Sequence, residues 1–466
     1  MIPDRWPSPA VDYLSSLPLE PLLTGEYDSS PTLVHERLRA KYGPVAPIEL
    51  LGVPAWFVLG YDEVLLVMQN VRDVWSKRVD NWRAYAEGRV PPDWPLLPLL
   101  QADNMGFHDG EKHHVLRTAW NAALRPFQDP ADKRAQTLKR AMERYCDDLI
   151  GVMTEGTSTG WADLSTQYGR PLPLMVANRL LGVTLSRGDD MMMDQWRLLD
   201  GPDSAGAYQR LYVALLELAT AKRHQRGDDL PSYMFAANPD LSNEELAREL
   251  FMLPGFLDFT GSMICNVIAE VLTNPQLRAA LPVGAIEETV NRVALLNPAL
   301  ANLSFRYART DVKLGRFTIA AGDPVMLSIA GAHTDPRFAA ALTPDTIRST
   351  RAHLAWGAGP HGCPSRRLAT QMATIAVRRL QDSFSTLQLA LPPDQLPWRP
   401  SPFVRALRSL PVHYELDASF VPSPGPRSRI PGEPPASPST AAGDGSGSQP
   451  SRSGFWAFLR KLRRRE

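Results

Sequence analysis

Cys363 lies in the stretch His353 to Ala369, HLAWGAGPHGCPSRRLA, where a glycine-rich loop runs into a helix-like sequence. Gly357 and Gly359 permit backbone conformations that other residues resist, so this loop can approach a flat ring closely. A helix following Cys363 would present unpaired N–H groups and a positive dipole end, and both favour a thiolate over a thiol. A thiolate so placed suits the axial position of haem iron, and thiolate-ligated haem supports O–O bond cleavage.

Two further segments carry cationic side chains at suggestive spacing. Asp109, His113 and Arg117 are each four residues apart, so His113 and Arg117 share one face of a helix and can hold one anionic group together. Arg306 sits in a strand-like run, FRYARTDVKLG. A lone His–Arg pair on a helix is ordinarily incidental.

Taken together, Trp356, Gly357, Gly359, His361 and Cys363, followed by Leu368 and Ala369, resemble the haem-binding loop of the cytochrome P450 family. Asp109, His113 and Arg117 are similar to that family's D-x-x-x-H-x-x-x-R segment, and Arg306 matches its strand arginine. The stretch from Trp398 to Val412 resembles its last strands. The resemblance implies a mainly α domain with small β-sheets over residues 21–420, with a β-rich lobe at the N-terminal side. It implies haem b, with Cys363 as iron ligand and His113, Arg117, Arg306 and His361 on the propionates. Asp258 and Thr260 would be the catalytic side chains, the substrate a small apolar molecule, and the electron donor a ferredoxin with its reductase.

Three departures from the family pattern bear on activity. In the family's E-x-x-R, Glu288 fits the glutamate but Asn291 stands at the arginine. Arg292 is no simple substitute, because one residue along a helix turns the side chain by about 100°. A buried Glu288 would need another cation, such as Arg348 or Arg351. In the central helix, LFMLPGFLDFTG, Gly255 takes the family's small residue and Asp258 its acid. Phe259 then stands where an alcohol assists proton delivery, and Thr260 next to it would face elsewhere. Asp258 reads equally as a structural carboxylate. Finally, Pro364 follows the cysteine, in what should be the first helical turn, and removes one N–H donor from the sulfur. That change predicts a more electron-donating thiolate.

Two functions remain open at this point: a monooxygenase, and a degenerate haem-binding protein acting in regulation or interaction at a membrane-associated complex.

The rest of the chain narrows the setting. Fifty basic and fifty acidic residues cancel, so nothing steers the domain towards nucleic acid. Three cysteines far apart argue against a disulfide framework or zinc cluster, and Cys146 and Cys265 read as buried apolar side chains. The N-terminal extension, residues 1–20, has no charged-then-apolar leader, and no apolar run approaches the ~20 residues of a membrane span, so a cytoplasmic protein is expected.

Local signals fix several elements. VAPIEL and PAWFVLG read as strands separated by Leu51, Gly52 and Val53. Residues Pro130 to Gly182 read as helix interrupted near Gly156 to Gly160. Ser242 reads as an N-cap with Glu245 three residues on. Residues 305–329 read as strands turning at Gly315 and Gly322.

Residues 421–453 are Pro, Ser or Gly at 21 of 33 positions and read as a disordered linker. Beyond it, residues 454–466 place Phe455, Phe458, Leu459 and Leu462 on one helical face, among Arg460, Lys461, Arg463, Arg464 and Arg465. That pattern suits an interfacial helix on an anionic membrane surface or an acidic protein, against the plainer reading of a solvated basic tail.

Overall fold

A computed structural model describes residues 11–155, 157–183, 185–200, 203–281, 285–343, 346–420 and 454–463. The first half of the N-terminal extension and the whole linker, residues 421–453, lie outside the described residues. Short turns aside, the helices in chain order are α1 (Pro31–Tyr42), α2 (Tyr61–Gln69), α3 (Gly110–Gln128), α4 (Lys133–Met153), α5 (Pro171–Leu181), α6 (Leu185–Asp200), α7 (Ser204–His224) and α8 (Leu230–Ala237). They continue as α9 (Asn243–Leu250), α10 (Leu253–Thr273), α11 (Ile286–Leu296), α12 (Arg366–Ser383) and α13 (Phe455–Arg463).

Strands β1 (Glu20–Pro21), β2 (Val45–Leu50), β3 (Val53–Val58), β4 (Trp75–Ser76), β6 (Asn302–Ala308) and β9 (Pro324–Ser328) form one sheet in the order β1-β2-β3-β9-β6-β4. β2 and β3 form an antiparallel hairpin whose two-residue turn has Leu51 at φ 52° and Gly52 at φ 81°. Positive φ at both positions matches the right-handed twist of the strands, so this turn sets the register. The expected β-rich lobe is therefore not local to the N-terminus, because β3 pairs parallel with β9 from the far half of the chain. β7 (Val312–Leu314) and β8 (Phe317–Ile319) turn at Gly315, and β5 (Thr159–Asp163), β10 (Phe384–Leu389) and β11 (Pro411–Leu416) make a third sheet.

The helices pack around α10, which meets α5, α11, α12 and a π-helical turn at Ser165–Gly169. Its buried side chains, Leu257, Met263, Ile264, Val267 and Ile268, join the helical core, while a separate aromatic-rich core (Trp56, Phe57, Trp82, Phe305) backs the large sheet. α9 starts on the expected capping box: the Ser242 hydroxyl accepts from Glu245 N, and the Glu245 carboxylate accepts from Ser242 N. Cys146 and Cys265 are buried, and burial raises both thiols to about 12. Among the described residues no three His, Cys, Asp or Glu side chains cluster as a metal site, and no helix is long and apolar enough to cross a membrane.

The C-terminal segment departs from expectation. α13 lies against α4, α6 and the π-helical turn, with Phe455 and Leu459 fully buried in the helical core. The apolar face expected to meet lipid or a partner thus covers the protein's own surface. Amphipathicity defines an apolar face, but only tertiary structure defines what meets it. Arg460 points outward to Glu155 at 3.7 Å.

Candidate haem-thiolate site

The Cys363 loop is held open by backbone contacts. Gly357 and Gly359 take φ 69° and 66°, and a Cβ on Gly359 would lie 2.5 Å from the Met68 carbonyl oxygen. No L side chain fits there without moving α2. Cys363 N donates to Trp356 O at 2.7 Å and closes the loop. α12 begins only at Arg366, so Pro364 lies in the turn before the helix and not in its first helical turn. Gln128, at the end of α3, pins this junction by donating to Pro364 O at 3.0 Å and accepting from Leu368 N at 3.3 Å. The Ser365 hydroxyl lies 3.5 Å from Cys363 Sγ, so the sulfur has a side-chain neighbour able to donate where Pro364 lacks an N–H.

Cys363 borders a cavity of about 500 Å³ between the loop and α10. Its walls include Leu124, Val176, Met263 and Ala294, with Phe403 from the C-terminal region. His361, Arg117 and Arg306 border it as well, and the His113 ring packs tilted against His361, with centroids 4.1 Å apart and planes at 41°. All five residues expected to hold the cofactor are thus gathered from α3, β6 and the loop.

Burial pushes the His113 and His361 imidazoles down, and the cations Arg306 and Lys77 push His361 further. Both rings are therefore neutral near pH 7. Asp109 caps no N–H of α3; its carboxylate accepts from Ser76 Oγ, Lys77 N and Arg309, fastening β4 to the start of the helix.

Lys77, missed in sequence, is 6 % exposed and borders the cavity. Its Nζ donates to Ser304 Oγ at 2.9 Å, and burial, then the nearby Arg306 guanidinium, pushes its pKa well below the ordinary value. Among the described residues no carboxylate is within ion-pair distance of Lys77, Arg117 or Arg306, and His113 Nε2 is buried without a hydrogen-bond partner. Lys77 and Arg306 are buried and Arg117 is half-buried, and the Asp109 carboxylate acts on Lys77 and Arg306 only from beyond ion-pair distance, so this cation-rich rim fits an anionic group. With a thiol at one wall and cations at the rim, the residues fit haem.

At the central helix, Asp258, Phe259 and Thr260 all border the cavity, so Thr260 does not face away as expected. Asp258 is 7 % exposed and sits between two guanidiniums, accepting from Arg399 and lying 3.4 Å from Arg170. The E-x-x-R position resolves without a buried ion pair. Glu288 is exposed and needs no cation, while the side chain of Arg348 lies outside the described residues. Arg351 Nη1 donates to the Ser349 and Thr350 carbonyls. Asn291 is buried, donates to Thr350 O at 2.9 Å and bonds His353 Nε2 at 3.0 Å through its Oδ1. His333 completes a neutral clamp, accepting from Leu354 N and bonding Leu295 O.

No protein-family model matches the chain. Among curated proteins, cytochrome P450 107B1 of Saccharopolyspora erythraea is 34% identical over 393 residues, 80% of this chain and 93% of that one. The chain belongs to the cytochrome P450 family. The 2-hydroxy-5-methyl-1-naphthoate 7-hydroxylase of Streptomyces carzinostaticus is 30% identical over 81% of this P450 and 93% of its own length. Among solved structures, CYP154C4 from Streptomyces sp. W2061 superposes with a TM-score of 0.74 at 26% identity, covering 85% of this P450 and 98% of that chain. The ligand-free P450 monooxygenase TamI gives 0.73 at 28% identity, over 85% and 94%. The P450 fold, mainly α with small sheets, is the one expected from the sequence.

Beyond the family's motifs, this P450 adds Lys77, Gln128, Arg170 and Arg399 to the site. Each reaches it from a separate part of the chain, and no spacing rule links them. Arg399 and Arg170 fall in stretches singled out in the sequence, but only for their strand and helix patterns.

Proposed function

We propose that this P450 is a monooxygenase that inserts one oxygen of O₂ into a small apolar molecule, with electrons from a ferredoxin and its reductase. The observation that carries the proposal is one cavity that joins Cys363, a cationic rim with no carboxylate in direct contact among the described residues, and an apolar wall. Haem b, when bound, would supply the oxygen-activating redox chemistry, with Cys363 as the residue that would hold its iron.

The chain's own side chains divide the remaining work. Cys363 would ligate iron from a loop closed by its own backbone hydrogen bond. Arg117 and Arg306 would hold propionates as cations, with His113 and His361 as hydrogen-bond donors. The apolar wall takes the substrate by burial and excludes water from it. Asp258 and Thr260 move protons at the central helix, where Phe259 supplies a ring and no relay. The hydroxylase names among the relatives support oxygen insertion as the reaction class.

One observation favours a second reading, a haem-binding protein with weak turnover. Asp258 is held by two arginines beside a phenylalanine. In that reading an anionic membrane surface or an acidic protein would meet the tail through the outward Arg460 and Lys461.

The deciding experiment is the reduced, carbon-monoxide-bound absorption spectrum beside that of Cys363→Ala. A thiolate-type band that the variant loses supports haem-thiolate ligation, and its absence from folded wild-type protein refutes it. Phe259→Thr then separates the two readings. Lower peroxide leakage per electron with a surrogate ferredoxin pair favours the monooxygenase, and unchanged leakage favours the second reading.

A further inference from the structure

The segment after the linker belongs to none of the family's motifs, yet it is built into the protein. Phe455 and Leu459 of α13 are 0 % and 1 % exposed, which fixes the helix in the groove between α4 and α6. Phe458 packs edge-on against the Trp196 indole of α6, with centroids 5.5 Å apart and planes at 64°. The same indole carries the Arg170 guanidinium, 4.7 Å from its centroid. Arg170 follows directly on the π-helical turn that α13 also touches, and its guanidinium lies 3.4 Å from the Asp258 carboxylate at the cavity wall.

The last step of this chain of contacts is tight. Gly261 of α10 lets the two backbones meet closely, since a Cβ there would lie 3.0 Å from Arg170 Cα. A cation over an indole face is held most firmly when both are desolvated, and here Trp196 is 8 % and Arg170 7 % exposed. On the cavity side, Leu199 of α6 also lines the wall.

We propose that α13 is a positioning element for the cavity: it pins Trp196, Trp196 seats Arg170, and Arg170 holds Asp258 at the central helix. The functional weight of Asp258 rests on the monooxygenase reading, but the mechanical link does not. Phe458 and Trp196 are positioning residues, since neither borders the cavity. The outer face of α13, including Arg460, takes no part.

Amide hydrogen exchange on the protein as isolated tests the link without turnover. A chain ending at residue 453 should exchange at least tenfold faster both in α6 and in residues 253–260 of α10. The synthetic peptide 454–466 added in trans should restore both. Phe458→Ala should act in the same direction, Phe458→Tyr should keep the protection because a ring remains, and Arg460→Ala should change nothing.

In haem-loaded protein, truncation should shift the ferric absorption spectrum as Trp196→Leu does, and the peptide should reverse the shift. Faster exchange in α6 alone, no change in either segment, or no rescue by the peptide would each overturn the proposal. A protein without a haem band would instead count against the functional reading, and leaves the exchange result fully interpretable.

Discussion

Two charge clusters border the same cavity and are built on opposite plans. At the rim, Lys77, Arg117 and Arg306 stand beside two neutral histidines with no carboxylate in ion-pair contact among the described residues. At the central helix, Asp258 sits between Arg170 and Arg399. The first cluster has no carboxylate in direct contact among the described residues, which leaves its cations available to an anionic ligand. In the second, the carboxylate is met directly by two guanidiniums, with one positive charge in excess. Cations without a direct carboxylate partner therefore distinguish the candidate binding site, and a motif acid whose charge is already met carries structure as well as any chemistry.

The sharpest way to break this comparison is to remove one charge from each cluster. Asp258→Asn strands two guanidiniums, so it should destabilise the haem-free protein by about 3–5 kcal/mol, the usual cost of breaking a buried pair; denaturant titration reads this. Lys77→Met should do the reverse in haem-free protein, raising its stability, while weakening haem retention by about 10–100-fold, the worth of one charge-assisted bond. Transfer of haem to an apo-globin acceptor measures that loss. If both variants merely destabilise the haem-free protein, the two clusters are not different in kind.

Smaller effects follow from the neutral clamp that stands in place of the family's Glu–Arg pair. Burial lowers His333 to about 3 and His353 to about 4, and it also lowers His35 in the sheet core to about 3. A histidine with a lowered folded pKa contributes stability that is present above its unfolded value, about 6.5, and lost as pH falls. Thermal unfolding should therefore show stability falling from about pH 6.5 towards pH 4, at about 1.4 kcal/mol per pH unit for each histidine. An ion pair in the same place would hold its strength until its carboxylate protonated.

The smallest expected effect belongs to Glu249, which accepts from Trp120 Nε1 at 2.7 Å and Met105 N at 2.8 Å and ties a cavity-lining loop to α9. Desolvation raises its carboxyl to about 7 against two hydrogen bonds that lower it. Its sign is opposite to that of the histidines. Stability is greatest below about pH 4.5 for this group and declines as pH rises towards 7. Glu249→Gln should flatten that decline in the same unfolding series.

The cofactor-holding residues were legible because each belongs to a short pattern whose chemistry is local. Cys363 needs glycines around it, and His113 and Arg117 need only helical spacing to share a face. The residues that complete the site were not legible. Lys77 sits in an unremarkable sequence and gains meaning only when β4 is folded beside β6 and Ser304. The exposed Glu288 shows the reverse failure: a family position suggested a buried charge that tertiary packing never buries.

By itself the sequence determined the helical and strand periods, the Leu51–Gly52 turn, the capping box at Ser242, the thiol in its glycine loop and an apolar stripe on residues 455–459. These depend on side-chain period and backbone freedom within a few residues. Tertiary structure alone decided where unlike segments meet: the pairing of β3 with β9, the two guanidiniums on Asp258, and the docking of α13 on the core and not on a lipid surface. Such contacts join residues hundreds of positions apart, and burial, not spacing, selects among the partners each face will accept.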